Sequence, residues 1–247
     1  MILNGLSRLF KKSARIDPNR TRKIISFSLW GDQALYTHGA IKNVILQKQL
    51  MPDWVCVFYV DASVPPNIVE QLKTLGADVV SKDLSIDTSG MMWRFEAVFD
   101  RADVAVVIMR DCDSRLTLRE KLAVDEWIKS GKKFHTLRDH PNHTHVMMGG
   151  MWGARVDLLS AGFIGWYKKE YFRFFKQSDK KFWSDTRFLT ERLWKRIKND
   201  QLGHVLSDSL KITGDEKPFP IPLFNDGSFV GNKYDENDHP VYTISTQ

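Results

Sequence analysis

Apolar residues in the first 140 or so positions fall into short unbroken runs separated by stretches of helical spacing. Ile24–Leu29 (IISFSL), Trp54–Val60 (WVCVFYV), Ala77–Ser81, Val104–Met109 (VAVVIM) and Phe134–Arg138 read as buried strands. Between them the spacing changes to the helical period. Ile41, Val44 and Ile45 share one face of a helix over Gly39–Leu50, which Pro52 closes. Pro65-Pro66 opens a second helix, where Ile68, Val69, Leu72 and Leu75 repeat until Gly76 ends it. Met91–Arg101 is predicted helical, with Phe95, Val98 and Phe99 inward. Thr117-Leu-Arg-Glu120 has the form of a capping box and starts a helix that ends at Gly131. Apolar strands alternating with helices predict an α/β fold, a mainly parallel central sheet flanked by helices. Beyond Gly149 the pattern becomes a Gly-rich loop, two aromatic-rich helices (around Leu158–Phe175 and Asp185–Asn199) and an irregular tail. This C-terminal third is expected to build over the ligand-binding edge of the sheet.

Composition narrows the picture. Of the 247 residues 43% are apolar, enough to bury the core of one large domain. The expected division is a basic leader at 1–21 and a single domain at 22–247. The formal net charge is +6, but Lys and Arg interleave with Asp and Glu, and no nucleic-acid-binding signature occurs. Nucleic acid is therefore not an expected partner. Cys56 and Cys112 lie in or beside apolar strand runs and read as buried, reduced thiols, which points to the cytoplasm. The leader MILNGLSRLFKKSAR lacks the apolar core of a signal peptide. Its Ile2, Leu3, Leu6, Leu9 and Phe10 can share a helical face beside basic residues, a pattern suited to weak contact with an anionic membrane surface. No apolar stretch approaches the roughly 20 residues of a membrane span.

The sharpest chemical feature is Arg110-Asp111-Cys112-Asp113-Ser114, directly after the fourth apolar run. Open α/β sheets bind ligands at the carboxyl ends of their strands. Two carboxylates one residue apart at such an end can face one cleft and suit a hard divalent cation, Mn2+ or Mg2+, with positions open for phosphate oxygens. His140, His143 and His145 cluster after the fifth run, but their spacing fits no standard zinc pattern. Neither G-x-G-x-x-G nor G-x-x-x-x-G-K-[ST] occurs, which argues against a dinucleotide oxidoreductase and a P-loop nucleotidase.

Several segments, in this order, resemble bacterial and viral polysaccharide-type glycosyltransferases of the GT-A fold. They are Ser26-Phe-Ser-Leu-Trp-Gly31, Phe58-Tyr-Val-Asp61, Met92-Trp-Arg-Phe95, Arg110-Asp-Cys-Asp-Ser-Arg115, Phe134 through Pro141 (FHTLRDHP) and Gly149-Gly-Met-Trp-Gly153. The tail Ser228-Phe-Val-Gly231 with Tyr234-Asp-Glu236 also fits. The resemblance implies a nucleotide-diphospho-sugar transferase that moves a sugar from a nucleotide-sugar donor to a glycan or other hydroxyl acceptor, with a nucleotide-binding part at about 22–115 and an acceptor-side part at about 134–247. It implies that Asp111 contacts ribose or metal and that Asp113 ligates the metal. Ser28 and Trp30 would border the nucleotide, Asp61 the base or ribose. Arg94 would brace a carboxylate or reach the donor, and Gly149 and Gly150 would let backbone approach the sugar. Related sequences carry an Asp-Gln pair in the late helix where this chain has Asp185-Thr186. They carry His-Asp-Ser near the end where His204 here stands apart from Asp208-Ser209. Asp208 is carried over as a third metal ligand. Asp185 and Asp139 are the candidate bases for an acceptor hydroxyl. Two other functions fit the same residues: a metal-dependent phosphohydrolase using Asp111, Asp113 and the histidines, and a nucleotide-sugar-binding module without catalysis.

Overall fold

The computed structural model describes residues 20–83, 90–177 and 184–244. The helical face proposed for the leader lies outside them. The expected strands form as β1 (Arg22–Leu29), β2 (Trp54–Val60), β3 (Asp78–Ser81), β4 (Val104–Met109) and β5 (Phe134–Arg138). The helices between them are α1 (Ala34–Leu50), α2 (Pro66–Thr74), a 3-10 segment (Gly90–Val98) and α3 (Leu118–Ser130). Three further strands come from the C-terminal third: β6 (Trp152–Arg155), β7 (Gln201–Val205) and β8 (Lys217–Pro218). All eight form one sheet in the order β3-β2-β1-β4-β6-β5-β7-β8. β6 runs antiparallel to both neighbours, and the other pairings are parallel. The C-terminal third thus supplies sheet as well as cover.

The unbroken apolar runs have a simple cause. Alternate residues of a strand point to opposite faces, and both faces here are covered. Ile24, Val57, Tyr59 and Val107 join one core with the 3-10 segment and the aromatic helix α4 (Ala161–Gln177). Ile25, Cys56, Phe58 and Ile108 join the other, under α1, α2 and α3. Tyr167, Tyr171 and Phe174 of α4 are buried, so part of that aromatic stripe is core. After α4 come α5 (Ser184–Phe188), one π turn (Leu189–Leu193) and α6 (Trp194–Ile197).

Helix α1 departs from its expected face. It begins earlier, at Ala34, and Ile45 is exposed. Its buried side is Gly39, Ala40, Asn43, Val44 and Gln47. The reason is what it packs against: the irregular segment after β4, whose backbone polar groups need partners. Asn43 donates to the Ser114 carbonyl at 2.8 Å and accepts from Leu116 N–H at 3.0 Å. A side-chain carbon at Gly39 would overlap the Cys112 carbonyl oxygen. The Asp111–Ser114 segment is therefore clamped by a polar helix face that hydrophobic periodicity does not register.

The capping box also closes only by half. Thr117 Oγ1 accepts the Glu120 N–H at 3.1 Å, as an N-cap should. Glu120 does not reach back; its carboxylate pairs with buried Arg110. Arg110 in turn donates to the Trp152 carbonyl at 3.2 Å. This ties the end of β4 to β6.

Candidate active site

The carboxyl ends of β1 and β4 open onto a cleft of about 340 Å³. These strands are neighbours, and the chain leaves β1 toward β2 on the other side, so the strand order reverses here, where ligands bind in open α/β sheets. Trp30 lies just beyond β1, and the pair Asp111 and Asp113 just beyond β4. Arg94 comes from the 3-10 segment, Gly149 and Gly150 from the approach to β6, Asp185 and Thr186 from α5, and Gly231 and Lys233 from the tail.

Arg94 organises these groups. Ser26 and Ser28, on one face of β1, grip its backbone: Ser26 Oγ donates to the Arg94 carbonyl at 2.8 Å, and Arg94 N–H donates to Ser28 Oγ at 2.9 Å. The guanidinium is buried and joins two carboxylates, Asp111 through Nη1 and Asp185 through Nη2 at 2.8 Å. A planar fork suits such a bridge. Asp185 is further fixed by the Thr186 N–H at 2.7 Å. Burial raises the Asp185 pKa from the ordinary carboxylate range, against the pull of Arg94.

Asp113 differs from its neighbour. Among the described residues its carboxylate forms no ion pair. Burial and the charge of Asp111 push its pKa up to about 6. A partly desolvated anion beside a second anion calls for a counter-charge. The oxygen donors of Asp111 and Asp113 suit a hard divalent cation, which typically takes one or two carboxylates and fills its other positions with phosphate and water oxygens. The residues present therefore fit such an ion.

Gly149 and Gly150 meet a steric demand of the cluster itself. A side-chain carbon at Gly150 would overlap Asp111 Oδ2, and one at Gly149 would overlap Asp185 Oδ2 and lie 2.9 Å from Arg94 Nη2. Both residues make room for the carboxylates, whether or not a sugar follows. Gly150→Ala is expected to displace Asp111 and weaken divalent-ion binding by at least about tenfold, as shifts of about 1 Å in a binding constellation commonly do. Calorimetric titration of Mn2+ checks this, and unchanged affinity would remove the constraint on Asp111.

Three other expected site residues stand outside this cluster. Asp61 is buried behind the loop after β1; it accepts from Ser63 N–H at 2.9 Å, and Ser63 Oγ accepts from Gly31 N–H at 2.7 Å. Through Ser63 it is linked to the backbone of the loop after β1. Asp139 is fully buried, with both oxygens held by Arg119 and one also by the Val230 N–H. It has no face toward an acceptor, so the geometry does not support a base there. Asp208 is an exposed carboxylate paired with Lys211, and no group of three His, Cys, Asp or Glu among the described residues could hold a metal ion. The third-ligand assignment thus finds no support. The spacing of His204 and Asp208 explains this: β7 ends at Val205 and buries His204 against His135 and Glu126, away from the pair.

The histidines after β5 divide similarly. His143 lines the cleft, and its Nδ1 accepts the Asp139 N–H at 3.1 Å. Burial lowers its pKa to about 4, so it is neutral near pH 7. His140 packs on the Phe229 ring, 4.4 Å between centroids. Both cysteines are free and buried, as expected, and burial pushes both thiol pKa values up.

No protein-family model matches the sequence, and no curated protein matches it. Solved structures give distant similarities. The mannosyltransferase PcManGT from Pyrobaculum calidifontis, in complex with GDP-Man and Mn2+, is 15% identical with a TM-score of 0.41; the match covers 62% of this chain and 50% of that one. This chain thus spans about half the length of that enzyme. A glycosyltransferase involved in glycosylation of the major capsid of PBCV-1 is 12% identical, TM-score 0.46, covering 75% of this chain and 82% of that one. The 4-diphosphocytidyl-2C-methyl-D-erythritol synthase from Anaerococcus prevotii is 10% identical, TM-score 0.47, covering 83% and 93%.

Four cleft residues have no counterpart in the sequence-based site expectations: Tyr36, Met91, Met148 and Lys233. Tyr36 is the one with a recoverable signal, an aromatic a few residues past Trp30 at the start of a helix. Trp30 itself is 45% exposed and meets Trp93 edge-on at 6.1 Å. No helix among the described residues is long and apolar enough to cross a membrane.

Proposed function

We propose that this protein is a glycosyltransferase that moves a sugar from a nucleoside-diphosphate-sugar donor to a hydroxyl acceptor, with Mn2+ or Mg2+ held by Asp111 and Asp113. One observation carries the reading: Arg94 joins Asp111 of the carboxylate pair to Asp185 inside one cleft at the strand-order reversal. A site for a charged leaving group and a site for a nucleophile are thereby held in fixed relation. A divalent cation there would supply positive charge to the departing diphosphate.

The protein's own groups have separable tasks. Trp30 and Tyr36 offer aromatic surface for a nucleobase at the β1 end of the cleft. Arg94 fixes Asp111 and Asp185 relative to each other through its two terminal nitrogens. Asp185, with its raised pKa, is placed to receive the proton of the acceptor hydroxyl. His143, neutral at the cleft wall, can hydrogen-bond a sugar hydroxyl.

A donor screen tests the reading. The protein is titrated with a panel of nucleoside diphosphates in Mn2+ and again with chelator, and nucleoside diphosphate released from the matching sugar donors is measured with and without acceptor glycans. The expected result is binding that disappears with chelator and release that rises with acceptor. Equal affinity with chelator would remove the metal, and no binding of any nucleoside diphosphate would sink the transferase.

A further inference from the structure

The cleft holds three carboxylates, Asp111, Asp113 and Asp185. Its one arginine is committed to two of them. A diphosphate entering there would add negative charge to a wall that is already anionic. Lys233 is the other cation lining the cleft. Its charge acts on Asp113, yet among the described residues it forms no ion pair.

Lys233 is also held in place from both sides. The Tyr234 N–H donates to the Asp113 carbonyl at 2.8 Å, so the tail is bonded to the carboxylate loop itself. Before it, Gly231 sits at φ +81 with Met151 against the space a side chain would need. After it, Val241 N–H returns to the Lys233 carbonyl at 2.8 Å, and Tyr234 bridges Pro240. The turn between them carries Asp238 at φ +67, a conformation that Asp tolerates better than most residues. Asp238 closes the strap with two ion pairs, to Arg115 Nε and to Lys42 Nζ, each at 2.7 Å. Arg115 belongs to the segment after β4, and its guanidinium lies 5.1 Å from the Tyr234 ring centroid.

We propose that Lys233 binds the diphosphate of the donor, and that Asp238 is a positioning residue that latches the tail so that this ammonium faces Asp113. The assignment rests on the transferase reading. An ammonium offers three donors and a compact charge, which suits phosphate oxygens beside a divalent cation.

Inorganic pyrophosphate in the presence of Mn2+ is the probe, because it reports the diphosphate site without a nucleobase. Calorimetry compares the parent chain with Lys233→Met, Lys233→Arg, Asp238→Ala and the Lys233→Met/Asp238→Ala double variant, each checked by thermal melting. Lys233→Met should weaken pyrophosphate by about tenfold or more, as loss of a charged hydrogen bond does, and Lys233→Arg should restore most of it. Asp238→Ala should weaken binding in the parent background but add little to Lys233→Met, since it acts through that lysine. Parent-like affinity in Lys233→Met would overturn the lysine assignment alone. Full additivity of Asp238→Ala would overturn the latch. A parent chain that binds neither pyrophosphate nor any nucleoside diphosphate would instead overturn the transferase reading on which both depend.

Discussion

Asp113→Asn is expected to lower sugar transfer by about a hundredfold or more while leaving the melting temperature close to that of the parent. The exchange keeps shape and removes one negative oxygen. Under the proposed function that oxygen would help hold the cation that meets the charge building on the departing diphosphate, and losing one well-placed electrostatic group commonly costs about this much. Folding should survive because the carboxylate forms no ion pair among the described residues and is held near Asp111 at an electrostatic cost. The same cost sets a pH limb. With its pKa near 6, Asp113 gains a proton as the pH falls through that value, and a protonated carboxyl no longer offers a negative ligand. The affinity of the parent for Mn2+ should therefore fall below about pH 6, and turnover should follow it at sub-saturating Mn2+ but not at saturating Mn2+. Turnover, Mn2+ affinity and melting are measured on Asp113→Asn beside His143→Ala. Parent-like turnover and Mn2+ affinity in Asp113→Asn would remove the metal role of Asp113, and a dead but well-folded His143→Ala protein would move the chemistry to the histidine.

Asp139→Ala should destabilise the fold by about 3–5 kcal/mol, the usual cost of removing one partner from a buried ion pair. Asp139 is enclosed with Arg119 of α3, and their side chains are almost without solvent contact. The pair links α3 to the end of β5, and Asp139 also receives the Val230 N–H from the tail. Truncation leaves a buried guanidinium without its counter-charge and a buried amide without an acceptor. Arg119 stays in place, since it also donates to the Ile221 carbonyl and lies 4.1 Å from the Phe219 ring centroid. At roughly 2–4 °C per kcal/mol for a domain of this size, melting should fall by about 6–20 °C. Asp139→Asn, which keeps an acceptor, should lose less. The pair of variants separates the two roles of this residue. A base would give a well-folded, inactive Asp139→Asn protein, whereas a structural carboxylate gives a weakened protein whose residual activity follows its folded fraction.

The outline of the sheet was legible because its central strands are covered on both faces. Val104–Met109 and Trp54–Val60 are apolar at every position for that reason, and their bounds match the observed strands. The same logic placed Asp111 and Asp113 at a strand's carboxyl end, where the cleft lies. Strands β6, β7 and β8 escaped notice because their residues carry Gly, Gln, His, Lys and Pro, which give no strand-length apolar run. Their place in the sheet depends on partners distant in sequence, such as Val107 for Ala154 and His135 for Leu202. Helix α1 misled in part for the converse reason: Val44 is buried as its period implied, but Gly39 and Asn43 are buried too, and these serve the segment after β4.

The sequence by itself determined the alternation of strands and helices, the two-sided burial of the central strands, the carboxylate pair after β4 and the burial of both cysteines. These depend on residues close together in the chain, where period and polarity report directly on burial. Tertiary structure alone decided which charged residues meet. Asp111, Asp139, Asp185 and Asp208 are one residue type at four loop or helix positions. Asp111 and Asp185 line the cleft and share Arg94, Asp139 is sealed against Arg119, and Asp208 stands in solvent beside Lys211. What separates them is the desolvation and the counter-charge that folding brings to each, and both come from parts of the chain too distant for any local pattern to record.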